Sequence, residues 1–285
     1  MGRRTGVIAA LGALLSGCSA TRALDALVPE GSYRGQEGIA YGRDPRQQLD
    51  VYQPLERVTG APLVVFFYGG SWSTGSRSDY RFVGEALAAS GIVAVIADYR
   101  LSPHVRWQAI LADCALATRW AFDNAARLGA DGARVHVMGH SAGGYNAAML
   151  ALDSRWLDAV GLSPQQLAGW IGLAGPYDFL PIGDAQTRVA FNWPETPQDS
   201  QPIHHVSARA PRALLIAAPG DTVVNAQRST VGLAGRLERA GVPVRVQLFD
   251  KLNHVTVVAA MARPLKWMAP VLDEVLDFVR QAPRR

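Results

Sequence analysis

The sequence predicts an α/β fold, a single mostly parallel, doubly wound sheet flanked by helices. Two observations carry that prediction. Stretches 63–68, 92–97, 135–138, 170–174 and 213–218 are short and continuously apolar, as strands covered on both faces must be. Segments of helical length separate them, so the chain alternates strand and helix without an internal repeat or a low-complexity linker.

The elements follow in order. Stretch 49–54 alternates apolar and polar residues and stops at Pro54, which reads as an edge strand. Strand 63–67 is followed by a helix over 80–90, then by strand 92–97. A long helix over 105–128 carries Trp107, Ile110, Leu111, Cys114, Ala117 and Ala121 in step on one face, so Cys114 reads as a buried, inert thiol. Strand 134–138 leads through a tight turn into a helix from Tyr145, and strand 170–174 follows. Pro176, Pro181, Pro194, Pro197 and Pro202 then break any long element, and 176–210 reads as a small lid excursion. Strand 213–218, helix 226–240 and strand 244–249 complete the alternation. A last helix near 264–280 has Met268, Val271, Leu272, Val275, Phe278 and Val279 on its core face.

The chain has 285 residues, enough to bury one sizeable core. Its net charge of +4 falls to +2 without Arg3 and Arg4, and the other arginines are scattered. A nucleic-acid surface is therefore not expected. The first 17 residues have the form of a signal peptide: a basic start at Arg3 and Arg4, an apolar core over 7–15, then Ser16 and Gly17 before Cys18. That core is too short to cross a bilayer as a mature helix. Leu15-Ser16-Gly17-Cys18 resembles the lipobox of bacterial lipoproteins, which implies Cys18 as the lipid-attachment site and a lipid anchor in the cell envelope. The aspartate linked with inner-membrane retention is absent at Ser19, which leans toward the outer membrane. An ordinary signal peptide would instead leave the protein periplasmic or secreted. Residues 18–38 then read as a tether, and 39–285 as the single α/β domain.

Chemistry is concentrated at Gly139-His140-Ser141-Ala142-Gly143-Gly144. A strand ends at Gly139 and a helix of small residues follows, which lifts the Ser141 hydroxyl out of a sharp turn, where a base can take its proton. Three further parts sit where other strands end. Tyr68-Gly69-Gly70-Ser71-Trp72 follows strand 63–67 and can aim backbone N–H groups at a developing negative oxygen. The N–H of Ala142, just after the serine, is the other standard donor. Asp221 follows strand 213–218 and His254 follows strand 244–249, so the order along the chain is Ser, Asp, His. His104, His136, His140, His204 and His205 lie elsewhere, in loops, inside a strand or in the serine motif itself. Asp178 and Asp184 fall at the start of the lid excursion and not at a strand-to-helix turn; Asp178 reads as a turn or cap residue. No His/Cys/Asp cluster has metal-ligand spacing, and neither metal nor organic cofactor is expected.

On these residues, together with Ala97-Asp98-Tyr99-Arg100-Leu101-Ser102-Pro103, Gly220-Asp221-Thr222-Val223-Val224 and Asn253-His254, residues 40–281 resemble an α/β-hydrolase. The similar group holds hormone-sensitive-lipase-like carboxylesterases and kynurenine-formamidase-like or feruloyl-esterase-like bacterial enzymes. The resemblance implies an α/β-hydrolase fold and carboxylesterase activity on small or medium esters, with Ser141, His254 and Asp221 catalytic. It also implies oxyanion donors at Gly70, Ser71 and Ala142. One departure is Tyr68, where the group usually has histidine, which implies altered support for the donor loop. Two alternatives share these residues: an arylformamidase or amidase, and a surface-tethered binding module that has lost activity. Natural substrate and oligomeric state are not legible.

Overall fold

The computed structural model describes residues 31–281, with Leu24, Val28 and Pro29 before them. Cys18 and the expected signal peptide lie outside the described residues. The strands are β1 (Tyr33–Ala40), β2 (Gln48–Pro54), β3 (Ala61–Phe67), β4 (Val93–Ala97), β5 (Ala130–His140), β6 (Gly169–Leu173), β7 (Ala213–Ala217) and β8 (Val244–Leu248). The helices are α1 (Arg81–Ala88), α2 (Trp107–Asn124), α3 (Ala142–Leu152), α4 (Ser154–Asp158), α5 (Ala185–Phe191), α6 (Gly232–Arg239), α7 (His254–Ala259) and α8 (Val271–Arg280).

One eight-stranded sheet runs in the order β1-β2-β4-β3-β5-β6-β7-β8. The pairs β1–β2 and β2–β4 are antiparallel, and the others are parallel. Every residue of β3, β4, β6 and β7 is buried, as their unbroken apolar runs require once helices cover both faces. Placing β5 between β3 and β6 brings the carboxyl ends of the central strands side by side. Ligands of open α/β sheets bind at that edge. This is the α/β-hydrolase architecture expected from the sequence.

Several boundaries differ from expectation. Tyr33–Ala40 is a strand, so the sheet begins inside the stretch read as a tether, and β2 is an interior strand and not an edge. The reason is that β1 is itself the edge: it is mostly exposed, so it lacks the apolar alternation that would announce it. Its register with β2 shifts between Gln36 and Ile39, where Gly38 takes φ 67°. That bulge scrambles the period further. The expected helix 226–240 divides into a π-turn, Gln227–Val231, and α6. The expected helix 264–280 divides at Ala269-Pro270 into a 3-10 turn, Arg263–Met268, and α8. Helix α7 was not expected; its signal is the capping box formed by Asn253 and Thr256. Cys114 is a free, buried thiol on α2. Among the described residues no helix is long and apolar enough to cross a membrane, and no group of three His, Cys, Asp or Glu side chains could hold a metal ion.

Candidate active site

Ser141 stands between β5 and α3 with φ 54° and ψ −122°, a conformation that costs energy for a residue with a Cβ. The surroundings hold it there: its N–H donates to the Leu173 carbonyl at 2.8 Å, and its carbonyl accepts from the Tyr145 N–H at 3.1 Å. The flanking glycines are sterically required. A Cβ on Gly139 would run into the Gly143 carbonyl, and one on Gly143 into the Phe67 carbonyl. The turn thus packs against its own helix and against the end of the neighbouring strand β3.

The three side chains picked from the sequence converge. The Ser141 hydroxyl donates to His254 Nε2 at 2.8 Å, and His254 Nδ1–H donates to Asp221 Oδ2 at 2.7 Å. Asp221 Oδ1 accepts from the N–H groups of Val223 and Val224 at 2.8 and 2.9 Å, so its carboxylate is held by the turn that follows β7. Burial pushes the Asp221 carboxyl up, yet the hydrogen bond and charge of His254, with the two amides, outweigh it and hold it below its ordinary value. The Asp221 side chain is 1% exposed, so its carboxylate can fix the orientation of the imidazole and hold a proton on Nδ1.

His140, read as part of the serine motif only, also has a structural task. Its Nε2–H donates to the backbone carbonyl of His254 at 2.9 Å. Burial, followed by the charge of the neighbouring His254, lowers its pKa to about 3, so His140 itself stays neutral. His136, in the middle of β5, is buried and stays neutral for the same main reason.

The loop after β3 carries the expected donors. Gly70, Ser71 and Trp72 take φ values of 129°, 49° and 57°, three successive residues in the left-handed region. Gly69 N–H points to the Tyr80 hydroxyl at 3.4 Å. The N–H groups of Gly70, Ser71 and Ala142 make no hydrogen bond to another group among the described residues. Ser71, Ala142 and Ser141 together line one cavity of about 470 Å³. Its other walls come from the excursion after β6 (Pro176, Phe179, Ile182, Asp184) and from the segment after Asp221 (Val223, Asn225, Arg228).

The excursion is fastened down, not loose. Phe179 and Phe191 pack against Trp72 of the donor loop and Tyr145 of α3, with ring centroids 4.7–5.9 Å apart. Asp184 caps α5, accepting from the Thr187 N–H at 2.7 Å. Asp178, read as a turn or cap residue, pairs with Arg228 at 2.7 Å, joining the excursion to the segment after β7. Nothing in its local sequence announces a partner 50 residues away.

Esterase LipC of Mycobacterium tuberculosis is 30% identical over 216 residues, which cover 69% of this chain and 54% of that protein. A probable isoprenylcysteine alpha-carbonyl methylesterase, ICMEL1 of Arabidopsis thaliana, is 26% identical over 241 residues, 77% of this chain and 50% of its own length. The chain therefore spans about half the length of these curated relatives. Among solved structures, a hyperthermophilic esterase from the archaeon Pyrobaculum calidifontis superposes with a TM-score of 0.74 at 24% identity, covering 92% of this chain and 90% of that one. A truncated carbohydrate esterase from gut microbiota gives 0.73 at 19% identity, covering 86% and 98%. These two share the fold. The model of the BD-FAE family matches residues 49–234, from β2 through the serine turn and Asp221 into α6, and the chain belongs to that family.

Proposed function

We propose that this protein is a serine carboxylic-ester hydrolase acting on small or medium esters. The observation that supports this most is the hydrogen-bonded series from Asp221 through His254 to Ser141, ending at the mouth of a cavity. His254 Nε2 takes the Ser141 proton as Oγ attacks the ester carbonyl carbon. The carbonyl oxygen becomes an oxyanion and accepts hydrogen bonds from the Gly70, Ser71 and Ala142 N–H groups. The tetrahedral species collapses as His254 gives that proton to the leaving alcohol, and the acyl group remains on Ser141. Water, deprotonated by His254, then attacks the acyl carbon; the bond to Ser141 Oγ breaks, the acid leaves, and His254 returns that proton to Oγ. Every proton is moved by this chain's own imidazole.

Trp72, Phe179 and Ile182 give the cavity an apolar side, suited to an acyl chain of limited length. Relatives that carry the names esterase and methylesterase favour esters over amides. Acetyl and butyryl p-nitrophenyl esters are expected to turn over faster than the lauroyl ester, and all of them faster than N-formylkynurenine. Faster turnover of N-formylkynurenine would replace this reading with an arylformamidase. Absence of turnover on the whole series, with Ser141 unlabelled by a fluorophosphonate probe, would leave only a binding module.

The lipobox-like Leu15-Ser16-Gly17-Cys18 supports a lipid anchor at Cys18, with the enzyme held at the bacterial cell envelope. Cys18→Ala is expected to shift the protein from the membrane fraction to the precursor or soluble fraction. An unchanged distribution would remove the anchor from this reading.

A further inference from the structure

Three successive left-handed residues in the donor loop, two of them not glycine, hold their shape only if the surroundings over-determine it. On the inner side the restraints are clear. The Trp72 carbonyl accepts from the Ser102 N–H at 2.9 Å, and Trp72 Nε1–H donates to Asn146 Oδ1 at 3.0 Å. The Gly70 carbonyl accepts from the N–H groups of Ser73 and Thr74, both at 3.0 Å. These bonds fix the middle of the loop and leave its two ends, Tyr68 and Gly75, to something else.

One guanidinium nitrogen reaches both ends. Arg46, in the turn between β1 and β2, donates from Nη2 to the Tyr68 hydroxyl at 2.7 Å and to the Gly75 carbonyl at 3.0 Å. Its Nε donates to the Tyr99 carbonyl at 3.0 Å, and the Tyr99 hydroxyl donates to the Tyr68 carbonyl at 2.7 Å. Asp98, which also pairs with Arg77, lies 3.6 Å from Nη2. The Tyr68 ring stacks on Tyr99 with centroids 4.6 Å apart and planes at 18°, so the hydroxyl is delivered to Arg46 by a rigid lever. Lysine could not replace this arrangement, because a point charge lacks the planar fork that reaches three acceptors at once.

We propose that Arg46 is a positioning residue for acyl transfer: it closes the donor loop by tying Tyr68 to Gly75, and so sets where the Gly70 and Ser71 N–H groups aim. The proposal rests on the reading of this loop as the oxyanion site. It also answers the departure at Tyr68: the phenol supports the loop through an arginine on a distant turn.

The test compares Arg46→Ala, Arg46→Lys and Tyr68→Phe with the wild type, using p-nitrophenyl acetate and a trifluoromethyl ketone, which forms a tetrahedral adduct on the active serine. Misaimed donors weaken the transition state and its mimic together, and leave substrate binding alone. Arg46→Ala is expected to lower kcat by roughly 10–100-fold, less than the loss of a whole donor, with KM within about 2-fold and ketone affinity reduced by the same factor as kcat. Tyr68→Phe, which keeps the Gly75 bond, is expected to show the same pattern at smaller size. An unchanged kcat, or a fall in kcat with full ketone affinity, would overturn the proposal. Should Arg46→Ala fail to fold, Tyr68→Phe and Arg46→Lys decide by the same two readouts. Failure of the underlying reading is a separate result: there the wild type would not bind the ketone at all, or Ser141→Ala would still turn over ester.

Discussion

Ser141→Ala is expected to lower turnover of p-nitrophenyl acetate by roughly 10⁵–10⁶-fold while leaving the melting temperature close to that of the wild type. Both halves of that expectation come from the local geometry. The substitution removes only Oγ, the atom that donates to His254. The bonds that hold the turn belong to the backbone, from the Ser141 N–H to Leu173 and from the Tyr145 N–H to Ser141, and alanine keeps them. Alanine also has the same Cβ, so the cost of φ 54° is unchanged. Some catalysis over water should survive, since the donor amides and the cavity remain. Kinetics on purified protein, with melting curves and fluorophosphonate labelling, check the prediction. Turnover near the wild-type rate would assign the nucleophile elsewhere.

Asp221→Asn should be nearly as damaging, with a loss of about 10⁴-fold in kcat, for a different reason. The Asn oxygen can take the place of Oδ1 and keep the bonds from the Val223 and Val224 N–H groups, so the turn after β7 survives. Its NH₂ then occupies the position of Oδ2, opposite His254 Nδ1. Two donors cannot face each other, so the imidazole places its proton on Nε2, toward Ser141, where a base needs a lone pair. The site is thus expected to stay intact in shape and wrong in proton placement. The variant should keep its melting temperature above neutral pH and lose acyl transfer there. A loss under 10-fold would mean that Asp221 does not control the His254 tautomer.

The two variants differ in what they ask of the fold, and that difference tracks how the site is built. Ser141 is set by a few neighbours in sequence, Gly139 and Gly143 above all. Asp221 and His254 lie 33 residues apart in the chain and reach each other only because β7 and β8 are adjacent in the sheet. Both positions could be picked from sequence because each lies a few residues beyond the end of a strand, and strand ends of a parallel sheet share one edge. The same logic picked the loop after β3.

What could not be picked is equally instructive. Arg46 sits in a turn with no motif, and its partners are 22 and 29 residues away for Tyr68 and Gly75. Asp178 reads as a turn residue, which is what a lone aspartate between prolines ordinarily is; its pairing with Arg228 is not legible there. His140 was visible only as a spacer in the serine motif, whereas its bond to the His254 carbonyl spans 114 residues.

The sequence by itself determined the parallel core, the serine turn and the order of the catalytic candidates. Those depend on steric demands and burial patterns that a few consecutive residues express. Tertiary structure alone decided that Tyr33–Ala40 completes the sheet, that the excursion after β6 is fastened through Phe179, Phe191 and Arg228, and that the donor loop is closed by Arg46. The physical reason is one of range. Apolar period and glycine sterics are local, but a hydrogen bond or ion pair between exposed-type polar side chains leaves no trace in the spacing of either partner.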